Sequence, residues 1–274
     1  MLKMLKADFY RLFRSFMFWV FLGIRLLSFI ITAAGSIYTR IKGAGFDGEA
    51  LTFENANIFE IETTVFSGIG ILFAGLCIVY FYGKELKNGY IKNIAGSVER
   101  REYCVFSKII LGIFTTLFYI AVDIIVTVIE WIVQGNSIVS VTDLYLDEGY
   151  TLCRSDVIKG WLSAYGTAIM ISMAFIMLVV LLMEVFRTTA PVYVFDLMLV
   201  AGIIDEVIIG VFSLLQSWFG WFKGFEISDY LMICNMQNFN CLSDNLARFA
   251  VMSVIYIAIF GVLAVWVNKK RDVV

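Results

Sequence analysis

The chain has no histidine and one proline, and only 16% of its 274 residues are charged. Without histidine there is no His-ligated metal, no imidazole proton shuttle and no Ser-His-Asp triad. The five cysteines, Cys77, Cys104, Cys153, Cys234 and Cys241, show no C-x-x-C spacing, which argues against zinc. Nucleotide chemistry lacks its signature as well. The one Gly-Lys step, Gly83-Lys84, runs into Glu85 instead of completing a phosphate-cradling G-x-x-x-x-G-K-[ST] loop. H-E-x-x-H and G-x-S-x-G are absent. By these motifs the chain is not an enzyme and binds no cofactor of its own.

What the sequence does have is apolar length. Hydrophobic residues make up 61% of it, against roughly half in soluble domains. Six runs, 16–37, 63–82, 106–133, 161–183, 192–215 and 247–267, each meet the roughly 20 residues that cross a bilayer as helix. The third is longer than needed, so it tilts or projects. The fifth is interrupted by Asp205-Glu206. Ahead of the first run, Met1–Ser15 places Leu2, Leu5, Phe9, Leu12, Phe13 and Phe16 at helical spacing. Lys3, Lys6, Arg11 and Arg14 fall mostly off that stripe, as in a helix lying in the headgroup layer.

The distribution of Lys and Arg sets an orientation. With both termini inside, fourteen of the 21 basic residues fall on the cytoplasmic side and six outside, with Arg25 inside a span. The basic residues are spread along membrane flanks, which gives no support to nucleic-acid binding. The fold expected is an all-α membrane protein with six transmembrane helices, an amphipathic interfacial helix at the N-terminus and a polar cytoplasmic segment, 83–105, between spans two and three. The outer segment Gln216–Leu246, with its SWFGWFKGF run, reads either as re-entrant helices before the last span or as an interfacial aromatic belt. Cys234 and Cys241 lie in it, where a disulfide is possible and free thiols are favoured.

Charges inside spans are costly unless paired or wetted, so they are the sharpest local signal. Arg25 lies about 14 Å into the first span at 1.5 Å per residue. Asp123 is near mid-membrane on the third span, and an Arg25–Asp123 pair is geometrically possible. Glu130 shares the face of Asp123. Asp196, Asp205 and Glu206 lie on the fifth. These carboxylates either line a translocation path or subunit seam, or they pair structurally inside the bundle.

The chain resembles the permease subunits of the ABC type-2 family over essentially its whole length. ADFYRLFRSFMFW before the first span is of the kind these permeases carry. More telling are Glu85-x-x-x-Gly89, Ile91-Lys92-Asn93 and Arg101-x-Tyr103-x-x-x-Ser107-Lys108 leading into the third span. Ser97-Val98-Glu99 stands where relatives often have proline, with Gly96 available for the turn.

The resemblance implies a bacterial plasma-membrane exporter. Segment 83–105 would hold the coupling helix that docks in a separate ATP-binding cassette ATPase subunit. ATP and Mg2+ would be bound by that partner, and a second permease subunit would complete a dimer. Glu85, Lys87, Gly89, Lys92, Arg100, Arg101 and Tyr103 are the expected ATPase contacts. The expected cargo is an amphipathic or antimicrobial peptide. The rival readings are an ion-coupled secondary transporter and a membrane scaffold or sensor that moves no cargo.

Overall fold

The computed structural model describes residues 2–43, 68–88, 102–133, 154–219, 225–231 and 246–270. These form eight α-helices, numbered here in chain order: α1 (Leu2–Phe13), α2 (Phe16–Gly43), α3 (Gly68–Lys87), α4 (Glu102–Val133), α5 (Arg154–Phe186), α6 (Thr189–Val200), α7 (Ile203–Trp218) and α8 (Leu246–Lys270). A short 3-10 turn at Ile227–Tyr230 precedes α8. No strand occurs among the described residues.

Among the described residues three stretches are long and apolar enough to cross a bilayer: Tyr103–Val126 in α4, Gly166–Phe186 in α5 and Ala247–Lys270 in α8. The architecture is consistent with an all-α membrane protein. The exposed face of α8 reinforces this, because Val251, Val254, Ile255, Ile259, Val262 and Trp266 stand open along one side. So continuous an apolar surface needs lipid or a partner to cover it.

The fifth expected span is not one straight helix. Only joined are α6 and α7 long and apolar enough to cross a bilayer, and they meet at 69°. The break falls at Gly202, whose φ of 73° lies in the left-handed region that glycine enters at no steric cost. Asp205 and Glu206 then occupy the first turn of α7, where the helix dipole favours negative charge. The interruption is therefore a helix end and a new start. The lone proline, Pro191, sits in the first turn of α6, where a missing N–H costs nothing.

α5 is the most enclosed of the three crossing helices and α8 the least. α5 packs on α3, α4, α6 and α8, and its seam with α8 is the most extensive in the molecule. Ile176, Val179, Val180 and Met183 of α5 meet Ile78, Val79 and Leu111 in one apolar core. α4 approaches α5 closely at Gly112, where a side chain would collide with Ile176.

α1 departs from its expected setting. Its apolar stripe is turned onto protein and not simply into lipid. Phe9 meets Phe114 of α4 edge-on at 4.7 Å between ring centres, and Leu12 is fully buried. At the bend into α2, the Trp19 indole N–H donates to the Phe13 carbonyl at 2.7 Å. Of the outer segment 216–246, only its beginning, residues 225–231 and its last residue are described. The remainder, on which the alternatives of re-entrant helices or an aromatic belt turn and which holds both cysteines, lies outside the described residues.

Two glycine substitutions should move stability in opposite directions. Gly112→Ala pushes a methyl into Ile176 and should cost about 1–3 kcal/mol, as overpacking does. Gly166→Ala adds its methyl in open space on a helix and should gain up to about 1 kcal/mol. Thermal midpoints of the purified protein in detergent check both.

Candidate functional site

The ends of α1, α3 and α4 meet in a buried knot of four charges. Asp8 of α1, Glu85 of α3 and Lys108 of α4 are each 2% exposed or less, and Arg11 of α1 is partly exposed. The Lys108 ammonium stands between the two carboxylates, 2.9 Å from Asp8 and 2.5 Å from Glu85. Arg11 reaches the other oxygen of Glu85 at 2.8 Å and approaches Asp8 at 3.5 Å. The Ser107 hydroxyl donates to Asp8 at 2.6 Å. Phe81 floors the group, with Lys108 at 5.0 Å and Arg11 at 5.5 Å from its ring centre. Two acids face two cations, so each carboxylate has both positive charges as neighbours. Glu85 lies beyond the apolar run of α3. Burial pushes its carboxyl above the ordinary range, against the opposing pull of Lys108 and Arg11.

This arrangement changes the expected role of Glu85. The sequence reading put it on a solvated loop as an ATPase contact. The structure extends α3 past it and draws its side chain inside, so it anchors α3 to α1 and α4 and offers no free surface. Lys87, two residues on, is exposed, and Tyr103 is half-buried at the start of α4. Gly89, Lys92, Arg100 and Arg101 lie outside the described residues.

A second polar joint ties α3, α5 and α8. The Tyr82 hydroxyl donates to Glu184, and Asn268 donates to the other Glu184 oxygen at 3.1 Å. Tyr82 and Glu184 are buried. Deeper in the bundle, Arg25 of α2 pairs with Asp123 of α4, both buried. The Tyr119 hydroxyl donates to the Phe18 carbonyl at 2.8 Å, and the Arg25 guanidinium lies 5.9 Å from the Tyr119 ring centre.

The remaining intramembrane acids do not join this pair. Asp196 of α6 is fully buried against Gly75 of α3, and among the described residues neither of its oxygens has a hydrogen-bond partner. Asp205 is buried in the first turn of α7, and Glu206 is exposed. The side chain of Glu130 lies outside the described residues. The structure therefore brings Arg25 and Asp123 together and leaves Asp196 and Asp205 on separate elements. No group of three or more Cys, Asp or Glu side chains is placed to hold a metal ion among the described residues.

The sequence reading passes over Asp8, Glu184 and Asn268, and names Ser107 only within the family motif. Asp8 carried a readable signal, as a single acid between Leu5 and Leu12 on the apolar stripe of an otherwise basic helix. An acid on the face that buries must meet a cation there.

No family model matches the chain, and neither the curated proteins nor the solved structures contain a match.

Removing one member of the knot should cost far more than a surface ion pair. Lys108→Met leaves Asp8 and Glu85 buried with Arg11 alone, and should destabilise by about 3–5 kcal/mol. Adding Glu85→Gln should recover part of that loss, because it removes one of the two stranded charges. Thermal midpoints of the single and double variants in detergent measure the coupling.

Proposed function

We propose that the chain is the membrane-spanning permease subunit of an ATP-driven exporter of the ABC type-2 kind, crossing the bilayer six times with both termini in the cytoplasm. It works beside a second permease subunit and takes its energy from a separate ATPase chain that holds ATP and Mg2+. An amphipathic peptide is the cargo best suited to acidic outer segments and an aromatic-rich bundle. The family resemblance in residues 85–108 supports this reading, as does the lack of any nucleotide motif.

The observation that carries it is the position of the charge knot. Glu85 and Lys108 stand at the two roots of the segment that joins α3 to α4, and Asp8 and Arg11 fix both roots to α1. A push from a soluble partner is transmitted only through an element that moves as a rigid unit between states of different energy. Helices α3 and α4, braced to α1 by buried ion pairs at the two roots of that segment, meet that requirement, whereas loosely tethered helix ends would absorb the motion. The unpaired Asp196 favours a second reading, an ion-coupled secondary transporter, because such proteins keep carboxylates in the bundle as ion sites.

Reconstitution with the ATPase subunit tests the proposal. Charge reversal by Arg100→Glu with Arg101→Glu should leave the ATPase's basal hydrolysis in place. It should lower cargo-stimulated hydrolysis and cargo movement at least about tenfold, the scale of one 1.4 kcal/mol contact. Unchanged coupling, or transport by the purified chain alone in a proton gradient, would overturn it.

A further inference from the structure

Asp196 occupies a position that the transport reading does not explain. α6 buries a stripe of three residues, Val192, Asp196 and Leu199, and the acid is at its centre. That stripe faces α3 and meets it at Gly75. A Cβ built on Gly75 would lie 2.6 and 2.7 Å from the two carboxyl oxygens, so the missing side chain is the space the carboxyl fills. Among the described residues neither oxygen has a hydrogen-bond partner. Arg25, the buried arginine among the described residues, is already paired with Asp123. The titratable group that senses Asp196 is Tyr193 of α6, which is also within reach of Cys77 and Tyr80 of α3. Among the described residues no charged side chain of α3, α5 or α7 acts on Asp196; burial alone sets its environment.

A bare carboxylate in such a place is far costlier than a neutral acid. A carboxyl seated in this notch, with no hydrogen-bond partner among the described residues, is favourable only while it carries its proton. We propose that Asp196, seated in the notch at Gly75, is an intramembrane proton-binding site at the contact of α3 and α6. The bound proton makes the carboxyl neutral and lets the two helices close. Its release would set an uncompensated charge against the α3 backbone and open the seam between them. The site belongs to this chain alone, so it holds whether the driving force comes from an ATPase or from an ion gradient.

Hydrophobic carbodiimides read such a site directly, because they react with protonated carboxyls in apolar surroundings. The acid proton passes to a carbodiimide nitrogen, and the carboxyl oxygen adds to the central carbon. Migration of the acyl group to nitrogen then leaves a stable N-acylurea that retains the whole reagent mass. The purified full-length chain in lipid nanodiscs is treated with dicyclohexylcarbodiimide across a pH series, and the adducts are located by mass spectrometry. The expected result is an adduct on Asp196, none on the arginine-paired Asp123, and yield that falls as pH rises. The water-soluble ethyl-dimethylaminopropyl carbodiimide should leave Asp196 unmodified. Gly75→Ala should change the Asp196 yield several-fold by displacing the carboxyl from its notch. An unlabelled Asp196, a pH-independent yield, or equal labelling by the water-soluble reagent would overturn the proposal. The wild-type measurement stands without any variant having to fold.

Discussion

A charge that leaves water must find one of opposite sign, and the polar architecture of this bundle follows from that constraint. The desolvation cost of an isolated ion is several kcal/mol even after relaxation, comparable to the whole stability of many domains. Asp8, Arg11, Glu85 and Lys108 meet the constraint by mutual neutralisation. Three helices are thereby fixed in one relative position. The same rule explains Arg25 and Asp123, which join α2 to α4 where no water is at hand. These ion pairs add less to stability than equally well-packed apolar residues would. What they add is a single register, because a slip of one residue along any of the helices would strand a charge.

The polar joints are arranged unevenly. One end of the bundle carries the charge knot, and the Glu184 joint to Tyr82 and Asn268 lies nearby, one residue on from Phe81. Between these and the opposite end the contacts of α5 with α3, α4 and α8 are mostly apolar. Close-packed apolar seams transmit strain, and the ion pairs at the polar end hold α1, α3 and α4 together as a block. The left-handed turns at Arg187 and Gly202 mark where α5 gives way to α6 and α6 to α7. They divide the chain's second half into short rods with defined joints.

Much of this was legible in the sequence, and the reasons differ from residue to residue. Long apolar runs specify helices in a bilayer because every backbone polar group must be satisfied within the segment, so α4, α5 and α8 could be read with little ambiguity. The Arg25–Asp123 pairing was legible because depth follows from counting residues and a mid-membrane charge has few possible partners. The break between α6 and α7 was only half legible. Asp205-Glu206 signalled an interruption, but the hinge is one turn earlier, at Gly202, where backbone freedom and not polarity decides. Glu85 was misplaced for a different reason. On paper Gly83 and the charges after Tyr82 look like the start of a solvated loop, and nothing local reveals that α1, nearly eighty residues away, returns to cover it. Long-range pairing of polar groups has no sequence period. It shows only as residues that seem wrong for their face, as Asp8 does on its apolar stripe and Asp196 on that of α6.

The central claim is that α1 is locked onto the roots of the segment joining α3 and α4. Proximity trapping in native membranes tests it most directly. With Phe9→Cys and Phe114→Cys in place, a short bis-methanethiosulfonate reagent should link α1 to α4 rapidly and nearly completely, since the native rings are 4.7 Å apart. If that pair stays unlinked while α1 reacts freely with lipid-phase probes, α1 floats at the membrane surface and the account fails.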